Sequence, residues 1–145
     1  YTGITKDIYC IPSEELASNK EFNKKYKNHF DLVFFSPPYY DLEKYPSRNQ
    51  SIKSYKTYEE WLEGYWRPTV MLCYHVLKKG GHMCFIISDY GSPSSSSQHY
   101  ELVKDMSLIV SEIFGNKISK IPLHNKQIYV LSQEKAPEQI VSIEK

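Results

Sequence analysis

A chain of 145 residues, 41% of them hydrophobic, has enough apolar surface for one compact core and not for two. Its formal net charge is +1 and its pI about 7.8, so no strong field advertises a nucleic-acid partner, which weighs mildly against a free-standing DNA binder, since phosphate contacts need lysine and arginine gathered on one face. Cys10, Cys73 and Cys84 lie far apart with no C-x-x-C pair, and the histidines have no ligand spacing, which excludes a disulfide framework and argues against a structural metal. Such thiols suit a reduced interior. No signal-peptide pattern and no apolar run of membrane-spanning length occurs, so the expectation is a soluble intracellular protein.

In chain order, Ile8-Tyr9-Cys10-Ile11 reads as a short strand, and Ser13 as the cap of a helix from Glu14 to about Tyr26 whose lysines, Lys20, Lys24, Lys25 and Lys27, form a solvated face. Asp31-Leu32-Val33-Phe34-Phe35 is an apolar run that reads as a buried, central parallel strand. Pro37 and Pro38 stop it, because each has a fixed φ and no N–H to extend a ladder. The stop places a small hydroxyl (Ser36), backbone carbonyls and a flat aromatic (Tyr39) around one space. That set can hydrogen-bond an amino group and stack on the ring that bears it. Asp41 to Lys56 is polar, rich in tyrosine and without period, and reads as a functional or disordered loop carrying Arg48, Lys53 and Lys56.

Thr57 and Glu60 have capping-box spacing, and Trp61, Leu62, Tyr65, Leu72, Val76 and Leu77 recur near helical period, with Pro68 expected to kink or divide the helix. Gly80-Gly81 is expected to end it, and Met83 to Ile87 to form the next buried strand of a right-handed βαβ unit. Asp89 follows at a carboxyl end, where it can line a crevice or cap a turn. Residues 91–97 are low-complexity loop. Glu101 to Phe114 is an amphipathic helix closed by Gly115; Ile118 to Leu123 and Gln127 to Leu131 read as strands joined by His124-Asn125-Lys126, and residues 136–145 as a tail.

The turn Ser36-Pro37-Pro38-Tyr39 resembles motif IV of the S-adenosylmethionine-dependent DNA methyltransferases that modify exocyclic amines, and its serine form is most similar to the cytosine-N4 branch. Tyr58 to Pro68 and Cys73 to Ile87 resemble the next elements of that family, so the resemblance spans roughly residues 8–135. It implies an α/β, Rossmann-like methyltransferase sheet, mostly parallel with an antiparallel final strand and with its N-terminal strands missing. Residues 1–135 would be a partial catalytic domain and 136–145 its tail. Ser36 and the Pro37 carbonyl would accept hydrogen bonds from the target amine, with Pro38 rigidifying the turn and Tyr39 stacking on a base flipped from the duplex.

Tyr40, Asp41, Arg48, Lys53 and Asp89 are candidate substrate contacts, although Tyr40 also reads as packing and Asp41 as a turn residue. Ser13 and Ser36 are the candidate cofactor contacts. The implied cofactor is S-adenosylmethionine, the implied partner DNA, with no metal and no membrane. The implied setting is the cytoplasm or nucleoid, or a virus-infected cell, in a restriction-modification context. Neither a glycine-rich loop after a strand nor the acidic residue that follows it in the family is visible, and Ile11-Pro12-Ser13 stands where relatives often carry Gly-Asp. The expectation is a fragment of a longer site-specific methyltransferase, completed by its missing half or as a homo-oligomer. Alternatives are a non-catalytic DNA-binding or pairing module and an RNA-base or protein-amide methyltransferase, which usually carries Asn in place of Ser36.

Overall fold

The computed structural model describes residues 7–40, 54–89, 99–123 and 138–145. The elements are α1 (Ser13–Leu16), α2 (Lys20–Tyr26), β1 (Phe30–Phe35), α3 (Tyr58–Trp61), a π-helical turn (Leu62–Trp66), α4 (Arg67–Val76), β2 (Leu77–Ile87), α5 (Leu102–Phe114), β3 (Ser119–Pro122) and β4 (Gln139–Glu144). The strands form one sheet in the order β1-β2-β4-β3. β1 and β2 are parallel, with Leu32 opposite His82 and Phe35 opposite Phe85, while β4 is antiparallel to both its neighbours. β3 therefore runs parallel to β1 and β2. This is the expected α/β sheet, mostly parallel, with the antiparallel final strand slotted into it.

One face of the sheet is covered by helices. Alternation along β2 turns Met83, Phe85 and Ile87 into the core, where they meet Val141 and Ile143 of β4 and the α5 residues Leu102, Met106, Ile109 and Val110, spaced for a single helix face. Burying Phe85 completely contributes about 1.5–3 kcal/mol. Trp66 is also fully buried, and its indole N–H donates to the Met106 carbonyl at 3.0 Å, so no polar atom is stranded. Gly115, at φ 72°, closes α5 in the left-handed conformation.

Several expectations are corrected. Ile8 to Ile11 is not a strand but irregular chain, with Ile8 90% exposed; without a neighbouring strand its backbone groups gain nothing from extension. The helix expected over Glu14 to Tyr26 is split, because the Asn19 side chain accepts from the Phe22 amide at 2.9 Å and starts a new helix. Ser13 is the first helical residue and Pro12 the cap position, so Ser13 is not the cap. The division before α4 falls just ahead of Pro68, in the π turn: with no N–H on Pro68, Gly64 has lost its ordinary helical donor, and the turn widens. Thr57 does cap α3, accepting from the Glu60 amide at 3.1 Å, while the Glu60 carboxylate reaches one residue further back, to the Lys56 amide at 2.8 Å.

Gly80-Gly81 does not end the helix. α4 stops at Val76, where the amides of Asn28 and His29 take the His75 and Val76 carbonyls (3.0 and 2.7 Å) and the Lys145 ammonium takes those of Tyr74 and Leu77 (2.6 and 2.7 Å). The two glycines lie inside β2 at a register shift opposite Phe30 and Leu32. Gly80 adopts φ 80°, and a Cβ on Gly81 would stand 3.0–3.1 Å from three backbone carbonyl oxygens. Of the expected tail at 136–145, the described part is not a tail: Gln139–Glu144 is β4, paired on both sides, because Val141 and Ile143 complete the core face. The expected strand Gln127 to Leu131 and the turn at His124 to Lys126 lie outside the described residues.

Candidate active site at the carboxyl end of the sheet

Because β1 and β2 are parallel and Phe35 faces Phe85, both strands deliver their next residues to the same end of the sheet. Ser36 is exposed there, and its hydroxyl donates to the Ile86 carbonyl at 3.5 Å, a long bond that is readily given up. Pro37 is buried and Pro38 half-buried, so the turn is anchored by its two rigid residues while the hydroxyl beside them stays accessible. Tyr39 is 3% exposed, and its phenol donates to Glu138 Oε1 at 3.1 Å, just ahead of β4. Its ring is a wall of the core and not an open stacking face.

Tyr40 comes next, at φ 37°. Its ring lies 5.3 Å from Tyr58, 5.6 Å from Trp61 and 5.2 Å from Tyr100, centroid to centroid. Tyr58 donates its hydroxyl to Asp105 Oδ2 at 3.1 Å; burial, and then the Asp105 carboxylate, hold its phenol far above the ordinary tyrosine range. A cleft of about 470 Å³ opens beside these rings, lined by Tyr40, Thr57, Tyr58, Tyr100 and Asp105 among others. Asp89 stands at the same end, two residues past β2, and its Oδ1 accepts from the Val103 amide at 2.8 Å, so the capping alternative is the one observed. Ser88, beside it, has a fully buried hydroxyl without a hydrogen-bond partner among the described residues.

The structure thus brings Ser36, Pro37, Pro38, Tyr39, Tyr40 and Asp89 to one end of the sheet. Ser13 is elsewhere: its hydroxyl pairs with Thr69 Oγ1 at 2.7 Å and ties α1 to α4. Asp41, Arg48 and Lys53 lie outside the described residues. Sequence reasoning missed Tyr58, Tyr100, Asp105, Ser88 and Glu138. Only Tyr58 left a signal, since its spacing from Trp61 places both on one helix face.

A nucleotide cofactor wants a glycine turn between a strand and a helix N-terminus. Gly64, Gly80, Gly81 and Gly115, the described glycines, sit in the π turn, inside β2 and at the end of α5. The described residues therefore do not build a cradle for S-adenosylmethionine. Among them no helix is long and apolar enough to cross a membrane.

A sheet of this order with a Ser-Pro-Pro-Tyr turn at its carboxyl end defines a methyltransferase-like α/β protein. The sequence profile of the DNA methylase family, covering N6 and N4 methyltransferases, matches residues 30–143, and the chain belongs to that family. No curated protein matches the sequence. Solved structures of TTHA0409 from Thermus thermophilus, a candidate DNA modification methylase, share the fold. One aligns with a TM-score of 0.59 at 15% identity, over 92% of this chain and 51% of that one. Another, complexed with S-adenosyl-L-methionine, aligns with a TM-score of 0.56 at 15% identity over 92% of this chain and 52% of that one. The chain thus spans about half the length of the solved structures it matches.

Proposed function

We propose that this chain is the amine-presenting part of an S-adenosylmethionine-dependent methyltransferase that modifies an exocyclic base amine in DNA, cytosine N4 in preference to adenine N6. The observation that carries the reading is the Ser36-Pro37-Pro38-Tyr39 turn at the carboxyl end of β1 in a chain of the DNA methylase family. An aromatic amine is a poor nucleophile, because its lone pair is delocalised into the ring. Acceptors aimed at its N–H groups draw the nitrogen toward tetrahedral geometry and return the lone pair to it. In this reading Ser36 Oγ, whose hydroxyl donates to the Ile86 carbonyl at 3.5 Å and so keeps its lone pairs for an amine, and the Pro37 carbonyl are those acceptors. They are preorganised by two fixed proline φ angles, and no strong base is needed.

S-adenosylmethionine supplies the methyl group when bound. Its cradle, and a partner that completes the domain, are proposed to lie outside the described residues, in the missing half of the methyltransferase or a second copy. The position of β1 at an edge of the described sheet and the exposure of Leu32 and Phe34 on it support a completing polypeptide. Tyr39 would offer its ring to a flipped base once the base displaces what covers it. Asp41, Arg48 and Lys53 would contact the DNA, and the site of action would be the cytoplasm or nucleoid, in a restriction-modification setting. A second reading, a non-catalytic DNA-binding or pairing module, draws on the lack of a cofactor cradle among the described residues and on the burial of Tyr39.

Transfer of labelled methyl groups to duplex DNA, measured on the complete protein and on its Ser36→Ala variant, separates the two. The proposed reaction gives product in the wild type and a kcat lowered by about 10²–10³-fold in Ser36→Ala, the loss typical of removing one preorganised hydrogen-bonding group. Donor affinity should not change. Absence of product in the complete protein, or full turnover in Ser36→Ala, overturns it.

A further inference from the structure

Two residues other than glycine have positive φ among those described, Asn28 at 49° and Tyr40 at 37°. Asparagine enters the left-handed region readily, but a bulky aromatic persists there only where its surroundings hold it. Tyr40 is held on three sides, by Tyr58 and Trp61 from α3 and by Tyr100 ahead of α5, and Tyr58 and Tyr100 are themselves 4.8 Å apart. Trp61 is fully buried and Tyr100 nearly so, while the Tyr58 hydroxyl is pinned by Asp105 at 3.1 Å. Two separate chain segments, α3 and the stretch leading into α5, therefore converge on one residue that is otherwise uncomfortable.

Tyr40 is joined to Ser36 through Pro37, Pro38 and Tyr39. Both prolines have fixed φ, so little torsional freedom remains between the clamped ring and the proposed amine acceptors. If Tyr40 relaxed to negative φ, the rotation would pass back along this short rod and swing the proline carbonyls. We propose that Tyr58, Trp61 and Tyr100, with Asp105 fixing the Tyr58 hydroxyl, form an aromatic clamp on Tyr40 that sets the direction of Ser36 Oγ and the Pro37 carbonyl. Tyr58 and Asp105 are then positioning residues for methyl transfer. This inference rests on the function proposed above.

The test is made in the complete methyl-transferring protein. Tyr40→Gly accepts the positive φ but removes the ring, so kcat should fall about tenfold or more, while KM for DNA and the dissociation constant for the methyl donor stay within about twofold. Tyr40→Phe, which keeps the ring, should lose much less. Tyr58→Phe and Asp105→Ala should each lower kcat several-fold, and the double variant should be no worse than the more affected single one, because both remove the same bond. Amide hydrogen exchange supplies a readout that needs no turnover: protection at Tyr39 and Tyr40 should drop about tenfold in Tyr58→Phe. A merely structural role predicts that kcat losses follow the melting temperature and vanish on cooling.

That result, or unchanged kcat and exchange in Tyr40→Gly and Tyr58→Phe, overturns the clamp. A wild-type protein that transfers no methyl group, or an active Ser36→Ala, overturns the proposed function instead; exchange at Tyr39 and Tyr40 then still decides whether the clamp exists.

Discussion

The two ends of the parallel pair β1 and β2 are built on opposite principles. At the amino end every group named above has a short hydrogen bond: the Lys145 ammonium bonds Asn28 Oδ1 and the carbonyls of Tyr74 and Leu77 at 2.6–2.7 Å, and the Lys145 backbone exchanges bonds with Gly80 and Gly81 at 2.8 and 2.9 Å. At the carboxyl end the Ser36 hydroxyl has a bond of 3.5 Å, Ser88 has no partner among the described residues, and Tyr40 occupies an unfavourable backbone region. At the amino end the ammonium and backbone of Lys145 are all paired. The other end leaves hydrogen-bonding capacity and strain in place, which is what a binding site requires and what a purely structural end would eliminate.

The largest expected effect would break this contrast, because it assigns stability to the carboxyl end. Tyr39→Ala should destabilise by about 3–5 kcal/mol, the range for deleting a buried aromatic. Thermal and denaturant unfolding of Tyr39→Ala and Tyr39→Phe would check it; the latter keeps the ring and should lose the bond to Glu138, about 1 kcal/mol. A Tyr39→Ala cost below about 1 kcal/mol would mean that the ring can leave the core freely and be available to a base.

The next effect sharpens the contrast from the other end. Lys145→Met keeps the aliphatic stem but strands two helix-end carbonyls, and should cost about 1–3 kcal/mol. Any loss of methyl transfer should follow unfolding alone, which activity measured well below the melting temperature would reveal. The smallest effect is at Ser88: replacing an unpartnered buried hydroxyl by Ala should be neutral or stabilising by up to about 1 kcal/mol. A clear destabilisation would show that the hydroxyl has a partner after all and that the carboxyl end is less open than described.

What could be read in advance depended on whether the cause was local. The extended run of β1 with its double-proline stop, the Thr57 cap, and α5 with its Gly115 closure are each specified by local sequence and were legible; the burial expected of β1 was not met, since it lies at an edge of the described sheet with Leu32 and Phe34 exposed. The end of α4 was not, because Asn28, His29 and Lys145 fix it from distant parts of the chain, and two adjacent glycines suggested a stop that is really a bulge. β4 was missed for a related reason: Gln139-Ile140-Val141-Ser142-Ile143-Glu144 is short, and becomes a strand because β2 and β3 offer it two edges. At the site, the Ser-Pro-Pro-Tyr turn stood out through its chemistry, whereas Tyr100 and Asp105 are ordinary residues until the fold brings them to Tyr40. Asp89 left two roles open, and its capping contact became visible only with the position of the Val103 amide.

The placement of β4 between β2 and β3 also has a consequence for synthesis. Residues 139–144 come off the ribosome after both strands they join, so until they arrive β2 and β3 each carry an unpaired edge and the sheet exists as separate parts. Assembly must wait for that late, long-range pairing, and the apolar strand Met83–Ile87 is a ready template for other chains in the meantime. A product that stops before Gln139 would therefore not be a trimmed version of the same protein. It would lack the strand that joins the two parts of its sheet, and its expected fate is aggregation or degradation.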